Sequence, residues 1–196
     1  MSATLHRRDV VSALLAEREG LLVVAGLGST AWDCTAAGDH DLTFPLWGAM
    51  GQAAMMGLGL ALAQPQRRVL VVTGDGEMLM GLGSFATIGV QRPANLSVVV
   101  IDNGRYGETG MQQTHTAYGV DLAAVARAAG FADARTVHAA SELAALRAAI
   151  HAHPGPNYAT VKVRAEKVPI LLPPRDGALL KARFRRALFG EAADLQ

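Results

Sequence analysis

Val69-Leu-Val-Val-Thr-Gly-Asp-Gly-Glu-Met-Leu-Met80 joins a β-branched run to a helical one through two glycines and an acid. Val69–Thr73 carries no charge, as a strand buried on both faces requires. Gly74 and Gly76 permit a tight turn and close backbone approach. The pattern then turns helical, predicting a helix over Met78–Val90 whose first N–H groups lack intrahelical partners and favour an anion. The same strand-to-loop step recurs on both sides. Leu21–Ala25 runs into Gly26-Leu-Gly-Ser-Thr30, and Ser97–Asp102 into Asn103-Gly-Arg-Tyr-Gly107. Tyr158–Val163 and Arg135–His138 are further strands, and helices are expected over Arg8–Arg18, Trp47–Ala63, Asp121–Ala129 and Ser141–His151, the last capped by Ser141. This alternation predicts a three-layer α/β/α sandwich around a mostly parallel central sheet. In such sheets ligands bind beyond the carboxyl ends of the strands, where these loops lie.

Composition narrows the classes. About half of the 196 residues are hydrophobic (51%) and only 18% are charged, which supports a buried core rather than disorder. Lysine plus arginine (18) nearly balances aspartate plus glutamate (17), which argues against a nucleic-acid or membrane-surface partner. Cys34 is the only cysteine, so no disulfide forms within the chain. The longest apolar run, Trp47–Ala63, is broken by Gln52 and falls short of the ~20 residues that span a bilayer. With no basic-then-apolar leader pattern at the start, a cytoplasmic location is expected. Bases cluster from Lys162 through Arg164, Lys167, Arg175, Lys181, Arg183, Arg185 and Arg186, expected as a solvated face on a terminal helix. Val168–Pro174, with three prolines, should be extended. Leu180, Phe184 and Leu188 then recur at helical spacing.

The Gly74–Glu77 turn holds a conflict. Its backbone invites an anion, yet Asp75 would repel a phosphate. A divalent cation between them removes the repulsion, and magnesium takes hard oxygens from one or two protein groups plus phosphates. Asn103, at the end of the next strand, could supply a second oxygen, and a carbonyl in the Gly104–Arg105 turn a third.

Gly74-Asp75-Gly76, followed across residues 77–101 by Asp102-Asn103, resembles the fingerprint of thiamine diphosphate enzymes, which opens with Gly-Asp-Gly and closes with an Asn pair. The resemblance implies that Asp75, the Asn103 side chain and the Arg105 carbonyl bind Mg2+. It implies that Gly74, Gly76 and Glu77 contact the diphosphate, the last two through amide N–H groups, and that Asn103 and Tyr106 also meet the cofactor. Two positions depart from the pattern. Asp102 replaces the first Asn, and Glu77 stands where a small residue is common, so its carboxylate must point away or meet a base. Leu46-Trp-Gly-Ala-Met-Gly-Gln-Ala53 is similar to the family's Gly-Ser-Met-Gly segment. By that match Met50 would wedge beneath the cofactor, while the Gly48 carbonyl and Met50 amide would bond its pyrimidine ring. Tyr106–His115 would lie near the thiazolium end, making Glu108, Thr109 and His115 candidates for substrate contact, with Glu108 able to shuttle a proton and His115 to meet an anion.

In that family a glutamate on a separate pyrimidine-binding domain activates the cofactor. Residues 1–190 match one half of such an enzyme, as a single diphosphate-binding domain that includes the extended segment and final helix at 168–190. The resemblance therefore implies that the glutamate comes from a pyrimidine-binding partner subunit, a two-chain arrangement like that of sulfopyruvate decarboxylases, with α2β2 the expected assembly. The Asp-Asn-Gly-x-Tyr-Gly-x-Thr-Gly stretch is similar to that enzyme's short subunit and to phosphonopyruvate decarboxylases. The expected activity is decarboxylation of a 2-oxo acid, with an acetolactate synthase-like carboligase or a non-catalytic regulatory subunit as alternatives. Gly26-Leu-Gly-Ser-Thr-Ala31 also fits the dinucleotide pattern Gly-x-Gly-x-x-Gly/Ala. That motif needs a second strand ending in an acid about 20 residues on, and Asp39-His-Asp-Leu-Thr-Phe-Pro45 is not expected to be a strand.

Overall fold

Apolar runs too short for helices pair side by side in one sheet in the computed structural model of the chain, which describes residues 4–195. In chain order the elements are α1 (Arg7–Leu15), β1 (Leu22–Ala25), α2 (Ser29–Ala36), β2 (Thr43–Pro45), α3 (Ala53–Ala63), β3 (Val69–Gly74), α4 (Asp75–Met80), α5 (Ser84–Gln91) and β4 (Leu96–Asp102). A hairpin of β5 (Arg105–Tyr106) and β6 (Gln112–Gln113) leads to a 3-10 turn at His115–Tyr118. α6 (Leu122–Ala128), β7 (Asp133–Val137), α7 (Leu143–Ala152), β8 (Asn157–Lys162) and α8 (Gly177–Phe189) follow.

The sheet has six strands in the order β2-β1-β3-β4-β8-β7, every pairing parallel. Alternate strand residues enter opposite cores, because successive side chains point to opposite faces. Leu22, Val24, Val69, Val71, Val98 and Val100 meet residues from α3, α5, α6 and α8 on one face. Val23, Leu70, Val72, Val99 and Ile101 meet α1, α2 and α7 on the other. These are the three layers expected, with the central sheet wholly parallel. Among the described residues no helix is long and apolar enough to cross a membrane.

Several boundaries differ from expectation for local reasons. Thr43–Pro45 is a strand after all, and it pairs with β1 at the sheet edge. The acidic run before it disguises the pattern, and its proline is tolerated because an edge strand has a free side. Buried Arg18 ties it in, donating to Thr43 Oγ1 at 2.6 Å and to the carbonyls of Leu21 and Leu42. This second strand runs into Leu46 rather than an acid, so the dinucleotide reading still lacks its ribose-binding group. α3 begins only at Ala53, since Ala49 (φ 57°) and Gly51 (φ 83°) are left-handed and turn the chain first. The helix expected over Met78–Val90 is two helices. A Cβ at Gly81 would fall 2.0 Å from the Gly51 carbonyl oxygen, so the chain turns there to make room. Ser141 is not a cap; the Glu142 carboxylate accepts instead from the N–H groups of His138 and Ala139. α1 stops at Leu15 ahead of left-handed Glu17 and Glu19, and α2 was not foreseen in the short, mixed run after Gly28.

The proline-rich segment is an extended strap, as expected. Val163 bridges Leu5, Arg8 Nη2 donates to the Pro169 carbonyl at 2.7 Å, and Trp47 Nε1 to that of Pro174 at 2.8 Å. α8 then packs against β2 through an edge-on Phe44–Phe184 contact, with Arg183 donating to Asp39 at 2.6 and 2.9 Å. The basic stretch is therefore only in part a solvated face.

The joint between α1 and α2 is ionic. Asp33, with no exposed side-chain surface, accepts from Arg7 at 2.7 Å and Arg8 at 3.3 Å. Replacing one member of a buried pair leaves the other charge uncompensated, at a cost of about 3–5 kcal/mol. Arg7→Met is accordingly expected to lower unfolding free energy by roughly that amount in urea titrations. A loss below about 1 kcal/mol would show that Arg8 alone suffices to compensate Asp33.

Candidate functional site

Parallel register brings one row of charges to the carboxyl ends of three neighbouring strands. Gly74 of β3 pairs with Ile101 of β4, and Asp102 of β4 pairs with Lys162 of β8. Asp75, the first residue of α4, is therefore beside Asp102, which is beside Lys162. Asp75 is 2% exposed. Its Oδ2 accepts from Thr114 Oγ1 at 2.5 Å, and Thr116 Oγ1 lies 3.4 Å away with its single proton better placed toward Asp102. Burial, and then the nearby Asp102 charge, push its carboxyl up to about 6, against the hydrogen bonds from Thr114 and from the backbone N–H groups of Asp75 and Asn103.

Asp102 is satisfied on every side. Its Oδ1 accepts from Thr116 Oγ1 at 2.8 Å and Gly104 N at 2.9 Å, and its Oδ2 from Lys162 Nζ at 2.5 Å. The departure from an Asn at this position is thus matched by a lysine on the adjoining strand. Asn103 Oδ1 accepts the Arg105 N–H at 2.8 Å, forming an Asx turn that leaves it a further lone pair. Gly104 (φ 67°) accepts from Thr114 N at 2.9 Å, which ties the 102–105 loop to the threonines around Asp75.

Gly76 lies beneath the Tyr106 ring, with room for no side chain: a Cβ there would meet the ring at 2.6 Å. Glu77 turns its carboxylate away from the Gly74–Gly76 turn, one of the two outcomes expected for an acid at this position. Its Oε2 accepts from Thr73 Oγ1 at 2.7 Å and Leu27 N at 3.0 Å, over a bare Gly26. Burial raises its pKa, opposed by these bonds and by the N–H groups of Gly51 and Ala53. Glu77 therefore links the loop after β1 to the end of β3, close to the Gly51–Ala53 backbone. The Gly48–Gln52 turn packs on α4 through Gly51 and Gly81 and leaves Met50 56% exposed, beside Met80 at 58%. Met50 is not core filler.

The structure thus gathers Gly74, Asp75, Gly76, Asn103, Arg105 and Tyr106 at one set of strand ends, with the Gly48–Met50 turn alongside. Glu108 and His115 stand apart from Asp75. Exposed Glu108, at the tip of the hairpin, lies over left-handed Gly28 after β1. His115 is exposed and makes no side-chain hydrogen bond among the described residues. Thr114, Thr116 and Lys162 were missed in the sequence. The alternating Thr114-His-Thr116 and a lone lysine closing an apolar strand were the available signals.

The model of the family described as thiamine pyrophosphate enzyme, C-terminal TPP binding domain, matches residues 29–161. Sulfopyruvate decarboxylase subunit beta of Methanothermobacter thermautotrophicus is 35% identical over 190 residues, covering 97% of this chain and 99% of that one. Phosphonopyruvate decarboxylase of Streptomyces viridochromogenes is 47% identical over 121 residues, 62% of this chain. The chain spans only 29% of that relative's length. Among solved structures, a protein of Mycobacterium smegmatis described as thiamin diphosphate-dependent superposes with a TM-score of 0.66 at 25% identity, over 80% of this chain and 31% of its own. Benzoylformate decarboxylase of Polynucleobacter necessarius superposes at 0.69 over 85% of this chain and 34% of its own, and at 20% identity it speaks for the fold alone.

Lys162→Met should destabilise the chain by roughly 2–4 kcal/mol, because it strands a buried carboxylate. Asp102→Asn in that background should recover most of the loss, since the amide needs no counter-charge. Denaturant midpoints of the two single variants and the double variant measure this coupling; additive losses would mean that the pair is not an electrostatic unit.

Proposed function

The chain belongs to the thiamine diphosphate enzymes, as their C-terminal TPP-binding domain, and from that premise we propose that it is the diphosphate- and Mg2+-binding subunit of a two-chain 2-oxo acid decarboxylase. The observation that carries this is Asp75, a carboxylate buried beside a second one at the mouth of a Gly-Asp-Gly turn. Such a carboxylate is costly unless a cation joins it. Among the described residues no three His, Cys, Asp or Glu side chains cluster to hold a metal unaided. The remaining ligands would be hard and neutral, the Asn103 side-chain oxygen and the Arg105 carbonyl, with phosphate oxygens completing an octahedron. That donor set suits magnesium.

On this reading residues 1–190 form one diphosphate-binding domain, strap and last helix included. Gly74, Gly76 and Glu77 present backbone to the diphosphate, and the bare Gly76 lets the Tyr106 ring pack close beside that turn. The Gly48 carbonyl and the Met50 amide hold the pyrimidine ring while the exposed Met50 thioether supports it from below. Thiamine diphosphate, when bound, supplies the electron sink that lets a 2-oxo acid lose carbon dioxide. Tyr106 borders the cofactor. Glu108 and His115 face the substrate, Glu108 holding or passing a proton and His115 meeting an anionic group.

The activating glutamate comes from a pyrimidine-binding partner in an α2β2 assembly. Exposed Trp47, Met50, Met80 and Leu82 near the cofactor turn support a partner surface there. Full-length similarity to a chain named as a beta subunit supports the same division, and it favours a sulfopyruvate- or phosphonopyruvate-like substrate.

Affinity capture from source cells in thiamine diphosphate and Mg2+ tests this. Recovery of a pyrimidine-domain chain, and decarboxylation of sulfopyruvate or phosphonopyruvate by the complex, are expected. Asp75→Ala should keep the partner and lose more than about a hundredfold in turnover. Full turnover in that variant, or capture of this chain alone, would overturn the assignment.

A further inference from the structure

A second concave site lies at the ends of β4 and β8, against the outer wall of the metal loop. It encloses about 780 Å3, and Asp75, Gly76 and Met50 do not line it. Three cations do: Arg105, Lys162 and Arg164. Asp102 is the one acid in its wall, and both its oxygens are already taken by Lys162, Thr116 and Gly104. The other two cations have no carboxylate partner among the described residues. Arg105 donates once, to the Met111 carbonyl at 3.3 Å, and Arg164 only faces His6 Nε2 at 3.3 Å. Each guanidinium has five N–H donors, so most remain unused. Glu166, the nearby acid in sequence, is engaged with His6 at 2.7 Å and does not line the cavity. Thr4 and Gln113 add neutral polar groups.

Two guanidiniums without carboxylate partners among the described residues line one open cavity, and a bound dianion would accept from their free donors. Tetrahedral oxyanions match this fork geometry. We propose that this cavity binds a small phosphate- or phosphonate-type dianion through Arg105 and Arg164, with the Lys162–Asp102 pair forming its floor. The site shares the Asn103–Arg105 loop with the proposed metal site, but not Asp75 or Gly76 at the start of α4. It does not depend on the cofactor reading, because its free donors are the Arg105 and Arg164 guanidiniums, to which that reading gives no role. Its wall is also the loop that carries Asn103, whose side-chain oxygen accepts the Arg105 N–H, so an occupant would bear on the proposed metal loop.

Titration calorimetry of the full chain tests this, in buffer without Mg2+ or thiamine diphosphate and at ionic strength held constant with chloride. Inorganic phosphate and methylphosphonate are the probes. Saturable binding of one equivalent is expected. Arg164→Ala, at an exposed position, should weaken it about tenfold or more, the effect of losing one charge-assisted contact. Arg105→Ala, which retains the backbone carbonyl, should do the same. Tighter phosphate binding would identify a free ion as the ligand, and tighter methylphosphonate binding the tail of an organic molecule. No saturable heat with either probe, or heat that survives both substitutions, would overturn the proposal.

Discussion

Strands β3 and β4 run parallel and end side by side, and each delivers a carboxylate to the same place: Asp75 and Asp102. Two buried like charges in contact range are intolerable in a low-dielectric interior unless each has its own compensation. Around this constraint the strand ends are organised. Lys162, one strand further on, takes Asp102. Thr114 and Thr116 come back from the hairpin to donate to both acids. Asp102 is thereby settled by the chain itself. Asp75 receives hydrogen bonds but no cationic side chain among the described residues, and burial, then the Asp102 charge, displace its pKa upward against those bonds. The asymmetry carries the functional argument: Asp102 has a cationic partner in Lys162, and Asp75 has none among the described residues.

The same constraint explains the glycines and the shape of the cofactor side. Backbone must approach backbone closely where Gly51 meets Gly81, and ring must cover backbone where Tyr106 lies on Gly76. Glu77 then joins the loop after β1 to the end of β3 from a position next to an expected anion. It does so with its carboxylate turned toward Thr73 and Leu27. Turns that carry proposed binding groups are thus fixed by hydrogen bonds to rigid strand ends, while Met50 and Met80 stay exposed. A site that is ordered on one side and bare on the other fits half of an interface.

Much of this was legible in the sequence, because strand burial and loop chemistry are local. Uncharged β-branched runs such as Val69–Thr73 gave away the parallel sheet, and the Gly-Asp-Gly turn gave away Asp75. What escaped depends on contacts remote in sequence. β2 is three residues long and its strand character is conferred by β1 and Arg18. The break between α4 and α5 comes from Gly51, distant in the chain. Lys162 gains meaning only through register, which places it opposite Asp102. Thr114 and Thr116 reach Asp75 through a hairpin whose path no propensity encodes.

The central claim is that Asp75 and the Asn103 loop hold a divalent ion against a diphosphate. Manganese can replace magnesium at such a site of hard oxygens, and its electron spin reports directly bound phosphorus. Pulsed electron–nuclear double resonance of the subunit complex with Mn2+ and thiamine diphosphate measures this. A strong 31P coupling that disappears in Asp75→Ala is the predicted result. Bound Mn2+ with no 31P coupling, or an unchanged coupling in that variant, would contradict the account.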